Sequence, residues 1–267
     1  MSRHACAWSI LLSLLVTTTV VANDFRIDTK VYVDDEATPR YETITLFQRG
    51  VVYDFLGGSG GEVTIYDPRV RKFTLLDTER EIKTEISDEV LLQFVAEVKL
   101  RASERGGPTV REAADPNFKT LYDDQSRQLS LSGRRLDYIA TAGNIRFPSA
   151  QAGRDYFEFI DNYTRLNATR VGAMPPQARL ELNRALAEHD MFPAKIKRVM
   201  RSGNALLGKE TIARSEHTIS WRLVRRDQDL IDLASKHRAN FTPVSFGEYR
   251  ELGPAPQPAP RIPGTSP

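Results

Sequence analysis

The chain has 267 residues, of which 40% are hydrophobic and 27% charged, so wholesale disorder is excluded and a packed core is expected. Its 37 basic and 35 acidic residues nearly balance, so the chain lacks the strongly basic composition typical of nucleic-acid-binding proteins. The single cysteine excludes an intramolecular disulfide and a cysteine-based zinc site.

Residues 1–22 have the three-part layout of a secretory signal peptide. One positive charge, on Arg3, precedes an uncharged stretch from Ala5 to Ala22, and the segment ends in small or β-branched residues before Asn23. We therefore predict export, cleavage before Asn23, and a periplasmic or extracellular mature chain that lacks cysteine. The alternative is a membrane anchor formed by the uncleaved segment, because its 18 uncharged residues just reach spanning length.

Residues 25–86 read as a run of strands, beginning with a strict alternation of apolar and polar residues from Phe25 to Val33. Short turns join the segments, and such turns force antiparallel neighbours because a parallel pair needs a long crossover. We therefore predict an antiparallel meander. Its later strands are Tyr41–Gln48, Val51–Leu56, Glu62–Tyr66, Lys72–Leu76 and Glu81–Ile86.

The remainder of the chain mixes helices and strands. Ser87 is expected to cap a helix whose buried stripe is Val90, Leu91, Phe94, Val95 and Val98, and a polar loop is expected over Glu104–Pro116. Further strands are predicted at Phe118–Asp123, Gln128–Ser132, Leu136–Thr141, Ala194–Arg201, Lys209–Glu216 and Thr218–Arg226. Further helices are predicted at Gln151–Asn167, from Pro176, and at Asp227–Arg238.

The predicted fold class is α+β, with an antiparallel β-meander or half-barrel covered by amphipathic helices. One domain is expected over residues 23–252, because strands resume after the best internal boundary at 143–148. Residues 253–267 contain six prolines, which remove backbone donors and favour an extended, solvated conformation. We therefore predict a disordered proline-rich tail.

No linear catalytic or metal motif emerges from the chain. Gly57–Gly61 matches the G-x-S-x-G pattern, but that motif needs a strand-to-helix turn and here strand follows strand. The three histidines outside the leader, His189, His217 and His237, lack the spacing of a metal or acid–base site. We predict no catalytic residue, metal or cofactor. A hydrolase remains an alternative, because catalytic carboxylates need no linear motif.

The strand–turn–strand rhythm of Val51–Phe55, Glu62–Pro68 and Lys72–Asp77 is similar to that of the periplasmic outer-membrane lipoprotein carrier (LolA-like) superfamily. The resemblance covers about residues 41–86. It implies an antiparallel half-barrel, covered by helices, that holds acyl chains in an apolar cavity. The mature chain departs from that pattern by beginning with strands rather than a helix.

These observations favour an exported, non-catalytic binding or carrier protein for a lipid or another apolar ligand. The alternative is a structural or interaction protein of the cell envelope that meets an envelope partner through the proline-rich tail. A nucleic-acid partner is not expected. The residues predicted to line the ligand cavity are Ile27, Val31, Val63, Ile65, Phe73, Leu75, Phe94, Trp221 and Leu223.

Overall fold

The structure is a computed structural model that describes residues 24–57, 61–143, 146–201 and 210–253. The predicted signal segment at 1–22 lies outside the described residues, as does the proline-rich tail beyond Gly253. Among the described helices, none has the length and apolar character needed to cross a membrane.

Twelve strands and six helices make up the described chain. The strands are β1 (Phe25–Val33), β2 (Tyr41–Gln48), β3 (Val51–Leu56), β4 (Glu62–Asp67), β5 (Lys72–Asp77), β6 (Ile82–Ser87), β7 (Lys119–Asp123), β8 (Gln128–Ser132), β9 (Leu136–Ala142), β10 (Pro193–Arg201), β11 (Glu210–Ser220) and β12 (Thr242–Pro243). The helices are α1 (Asp88–Arg105), α2 (Pro108–Ala114), α3 (Ala150–Asn167), α4 (Gln177–Glu188), α5 (Arg225–Asn240) and α6 (Phe246–Glu251).

All twelve strands form one sheet, in the order β12-β6-β5-β4-β3-β2-β1-β11-β10-β9-β8-β7. Every neighbouring pair is antiparallel except β12 with β6. Within the described residues the first and last strands of this order do not pair with each other, so the sheet is open. The first six strands are the predicted meander, and its antiparallel character is confirmed.

Helices cover the two faces of the sheet unequally. On one face, called here the α3 face, Phe159 of α3 packs on Phe47 and Tyr66 of the meander, at ring-centroid distances of 5.7 and 6.4 Å. Helix α4 packs farther along this face on β8, β9 and β10. The opposite face, called the α5 face, is covered where Leu230, Ile231 and Ala234 of α5 meet the middle of the meander. Strands β4 and β5 therefore lie between α3 and α5, and nearly all their residues are buried on both faces.

The structure corrects the prediction in several places. The loop expected over Glu104–Pro116 contains α2, which begins with Pro108 in the first turn, a position where its missing N–H costs no hydrogen bond. The two strands expected between 209 and 226 are one strand, β11, and His217 lies within it. Neither β12 nor α6 was predicted, because both are very short.

Helix α1 begins as predicted, with the Ser87 side chain accepting a hydrogen bond from the Val90 N–H. Its buried stripe is narrower than expected. Leu91 and Val95 are buried and Phe94 is half-buried, whereas Val90 is 48% exposed. The helix therefore packs by one edge, and the wide apolar arc predicted from periodicity is only partly covered.

Candidate functional site

A cavity of about 190 Å³ lies on the α3 face, between the sheet, the C-terminal end of α3 and the short helix α6. We call it the α6 cavity. The sheet contributes Glu62 and Leu75 to its lining, and the remaining lining residues come from the α3 end and from α6. Most of the lining is apolar, with a few polar groups. The lining residues outside the sheet are Leu166, Thr169, Arg170, Val171, Phe246, Tyr249, Arg250 and Gly253.

One wall of the cavity is a buried carboxylate that carries two partners. Glu62 is 5% exposed, and one of its oxygens accepts a hydrogen bond from the guanidinium of Arg170 in a salt bridge. The other oxygen accepts a hydrogen bond from the Tyr249 hydroxyl at 3.2 Å. Because both oxygens are engaged, the charge of Glu62 is compensated by protein groups rather than by solvent.

A second buried carboxylate lies on the neighbouring strand and forms no salt bridge within the described residues. Asp54 of β3 accepts hydrogen bonds from the hydroxyls of Thr45, at 2.6 Å, and Tyr163, at 2.8 Å. Burial raises the pKa of Asp54 above its ordinary value, while the two hydroxyls act in the opposite direction. Burial also raises the pKa of Tyr163, so its hydroxyl remains a donor to Asp54. The α3 face is therefore polar as well as apolar beside the cavity.

Helix α6 is fixed against the cavity at its C-terminal end by Arg80. The guanidinium of Arg80 binds the buried carboxylate of Asp77 at 2.8 Å and donates to the backbone carbonyl of Leu252 at 3.2 Å. The Ser245 and Glu248 side chains close a capping box at the other end of the helix. These contacts hold a six-residue helix that would not be stable alone in water.

Arg250 lies at the edge of the α6 cavity between two aromatic rings. Its guanidinium carbon is 4.8 Å from the ring centroid of Phe94 in α1 and 5.9 Å from that of Phe246. Its Nε donates to the Thr169 carbonyl at 2.9 Å. Cation–π contacts of this kind hold an arginine in one orientation, so the side chain is ordered at the cavity wall.

The nine residues predicted to line a ligand cavity are divided among several places. Leu75 lines the α6 cavity, and Phe94 borders it through Arg250. Ile27 and Phe73 belong to the apolar cluster of the α3 face, and Trp221 packs on it. The half-buried Val31 lies farther along the same face. The remaining three, Val63, Ile65 and Leu223, pack in the α5-face cluster.

Sequence reasoning missed the charged residues of the site. The sequence did contain a signal for a buried Glu62. This residue alternates with Thr64 and Tyr66, so all three face the same side of a strand that is otherwise buried. Arg170 and Arg250 carried none, since each meets its partners only through the tertiary fold, 108 residues from Glu62 in the first case. The described residues contain no group of three His, Asp or Glu side chains that could hold a metal ion.

His217 occupies the same face nearer the centre of the sheet. Its Nδ1 is 3.0 Å from the Thr29 hydroxyl and its Nε2 is 2.9 Å from the Ser215 hydroxyl. Burial lowers the pKa of His217 to about 3, and the positive charge of Arg179 adds to the effect. The imidazole is therefore neutral at neutral pH and forms part of a hydrogen-bonded group.

Comparison with known proteins gives a limited result. No model of a protein family matches the sequence, and no curated protein matches it. Among solved structures, the chain is similar to a LolA superfamily protein from Nitrosomonas europaea, with 8% identity and a TM-score of 0.26, over 78% of this chain and 90% of that one. The superfamily named there is the one that the sequence resembles over about residues 41–86. Because the TM-score is low, the likeness carries no argument about this chain.

Proposed function

We propose that this protein is an exported, non-catalytic binding or carrier protein that holds a small apolar molecule, or the apolar part of a lipid, in the α6 cavity. The proposal rests on one observation. A mostly apolar cavity of about 190 Å³ remains beside β4 and β5, two strands that are otherwise buried on both faces. The cavity opens to the surface at Val171, which is 86% exposed, so a ligand can enter it. An apolar cavity of about 150 Å³ is large enough to bind benzene.

The volume sets the affinity to be expected. Each buried methylene contributes about 0.8 kcal/mol, so a six-carbon chain contributes about 4–5 kcal/mol. That free energy corresponds to a Kd of about 1 mM. A six-carbon alcohol is therefore a suitable neutral probe, titrated at millimolar concentration and followed by the amide NMR signals of residues around the cavity.

Two neighbouring leucines provide a matched test. Leu75 lines the cavity, whereas Leu76 is fully buried in the apolar cluster of the α5 face. In Leu75→Phe the larger ring enters the cavity, so 1-hexanol binding should be lost at little cost in stability. In Leu76→Phe the same change overpacks a filled core and should cost about 1–3 kcal/mol while binding persists. Equal 1-hexanol binding by wild type and Leu75→Phe would refute the proposal.

Export and ligand can be examined on one sample. We expect the mature protein, purified from the envelope of an expressing cell, to begin at Asn23. Native mass spectrometry of that sample should show added mass from a co-purified apolar molecule, and this adduct should be absent from Leu75→Phe. A chain that retains Met1, found only in membranes, would support the uncleaved anchor instead.

A second candidate, an interaction protein of the envelope, is favoured by the edge of the sheet at β7. Within the described residues no strand pairs with the outer edge of β7, and Leu121 on it is 63% exposed. An unprotected edge can pair with a strand of another chain. If this edge pairs two copies, light scattering should give the mass of a dimer for wild type and of a monomer for Leu121→Lys. A monomer at every concentration would remove this form of the alternative.

A further inference from the structure

Arg250 is a cation at the α6 cavity that has no acidic partner among the described residues. Arg250 lines the cavity, and its Nε donates to the Thr169 carbonyl. Its other contacts are the faces of Phe94 and Phe246. No carboxylate of the described residues forms a salt bridge with it, so its two terminal nitrogens have no protein acceptor there. The nearest buried carboxylate of the lining, Glu62, is already paired with Arg170.

The charges of the lining therefore do not cancel. Among the described residues of the lining, Arg170 and Arg250 are the two cations and Glu62 is the one anion. The Glu62–Arg170 pair is internally neutral, and the second oxygen of Glu62 is taken by the Tyr249 hydroxyl. One positive charge, that of Arg250, remains at the wall of a mostly apolar cavity. A ligand with one negative charge would complete it.

We infer that the α6 cavity takes an amphiphilic anion, a short apolar chain or ring that carries one carboxylate or phosphate group, and that Arg250 binds the anionic group. This inference rests on the proposed function and assigns its ligand class. The apolar part lies against Leu75, Leu166 and Phe246, and the anionic group meets the terminal nitrogens of Arg250.

The geometry suits this role for Arg250 in particular. A guanidinium presents its donors in a planar fork that matches carboxylate and phosphate oxygens. The rings of Phe94 and Phe246 hold the plane in place before a ligand arrives, so little side-chain entropy is lost on binding. A cationic amphiphile finds no such partner, because both oxygens of Glu62 are already engaged.

Four six-carbon probes separate the ligand classes on the full-length mature protein: hexanoate, hexyl phosphate, 1-hexanol and hexylammonium. We expect both anions to bind about tenfold more tightly than 1-hexanol, because a charge-assisted hydrogen bond is worth more than a neutral one. Hexylammonium should bind more weakly than 1-hexanol. The ratio between hexanoate and hexyl phosphate decides which anionic group fits better.

The variant Arg250→Gln removes the charge and keeps a planar hydrogen-bonding group. It should lose the preference for anions and bind hexanoate and 1-hexanol equally. Arg184→Gln is the matched control, since Arg184 is an exposed arginine of α4 that pairs with Glu188 away from the cavity lining. This control should keep the wild-type ratio.

The outcomes distinguish the inference from the function on which it rests. If wild type binds 1-hexanol and hexanoate equally, the anion assignment is wrong and the apolar site stands. The same conclusion follows if Arg250→Gln retains the tenfold preference. If no probe of the four binds, the proposed function fails and the inference fails with it.

Discussion

The two faces of the β4–β5 hairpin differ although both are buried. On the α5 face, Val63, Ile65 and Leu76 pack against α5 in an apolar cluster. On the α3 face, the same two strands present Glu62 and Leu75 to a cavity, with charged side chains around it. One face is a filled core, and the other keeps space and ionic groups.

Within this one hairpin, the α5 face serves stability and the α3 face is where we place the proposed ligand. A dense apolar interface such as the α5 face gives transfer and dispersion energy and leaves no room for a ligand. Buried ion pairs gain little for folding, because desolvation offsets much of their attraction. The salt bridge of Glu62 with Arg170 therefore adds less to the stability of the fold than the apolar packing of the α5 face does.

The largest expected effect is a contrast in truncation cost between the two faces. Leu76→Ala removes a side chain that is surrounded by partner atoms, and should lower the free energy of unfolding by about 4 kcal/mol. Leu75→Ala removes one that already adjoins empty space, and should cost about 2 kcal/mol. Urea unfolding of both variants measures the difference. Equal costs would mean that the two faces are packed alike.

The next effect concerns the salt bridge at the cavity. Arg170→Met leaves the carboxylate of Glu62 buried with only the Tyr249 hydroxyl as a partner. The substitution should lower the free energy of unfolding by about 2–3 kcal/mol. This loss is at or below the range usual for breaking a buried ion pair, because Arg170 is 34% exposed. Adding Glu62→Gln removes the stranded charge and should restore more than half of the loss. A double-mutant cycle by thermal unfolding measures this coupling. Additive costs would show that the pair is not coupled.

A pH effect follows from His217. Its pKa is about 3 in the folded protein, below the ordinary value of 6.5, so the unfolded chain binds the proton first as the pH falls. Stability from this group is complete above pH 6.5 and is lost as the pH falls toward 3. His217→Gln should therefore lose less stability than wild type over that interval. Urea unfolding of both proteins across that interval measures the two slopes, and equal slopes would contradict the prediction.

The smallest effect is at the aromatic support of Arg250. Phe94→Leu keeps an apolar side chain but removes the ring beneath the guanidinium, and should cost about 0.5–1 kcal/mol. Hexanoate binding should weaken severalfold. In the Arg250→Gln background the same substitution should have almost no further effect on hexanoate. A full effect there would show that Phe94 acts independently of Arg250.

The sequence predicted the strands of the meander because their hydrophobic period of two is regular and their turns are short. It predicted β11 wrongly, since the inward-facing Ser215 and His217 interrupt the apolar pattern that marks a strand. It named Leu75, which lies at the α6 cavity, together with Val63 and Ile65, which lie on the α5 face, because alternation separates two faces without distinguishing them. The sequence could not predict the positions of Arg170 and Arg250 at the cavity, because their partners lie far away in the chain.

The most direct test of the account is a crystal structure of the mature protein under xenon pressure. Xenon binds at apolar surfaces inside cavities and is visible in electron density. The account predicts a xenon atom in the α6 cavity, between Leu75, Leu166 and Phe246, and none beneath α5 beside Leu76. A structure in which side chains fill the α6 cavity, or in which xenon binds only beneath α5, would contradict it.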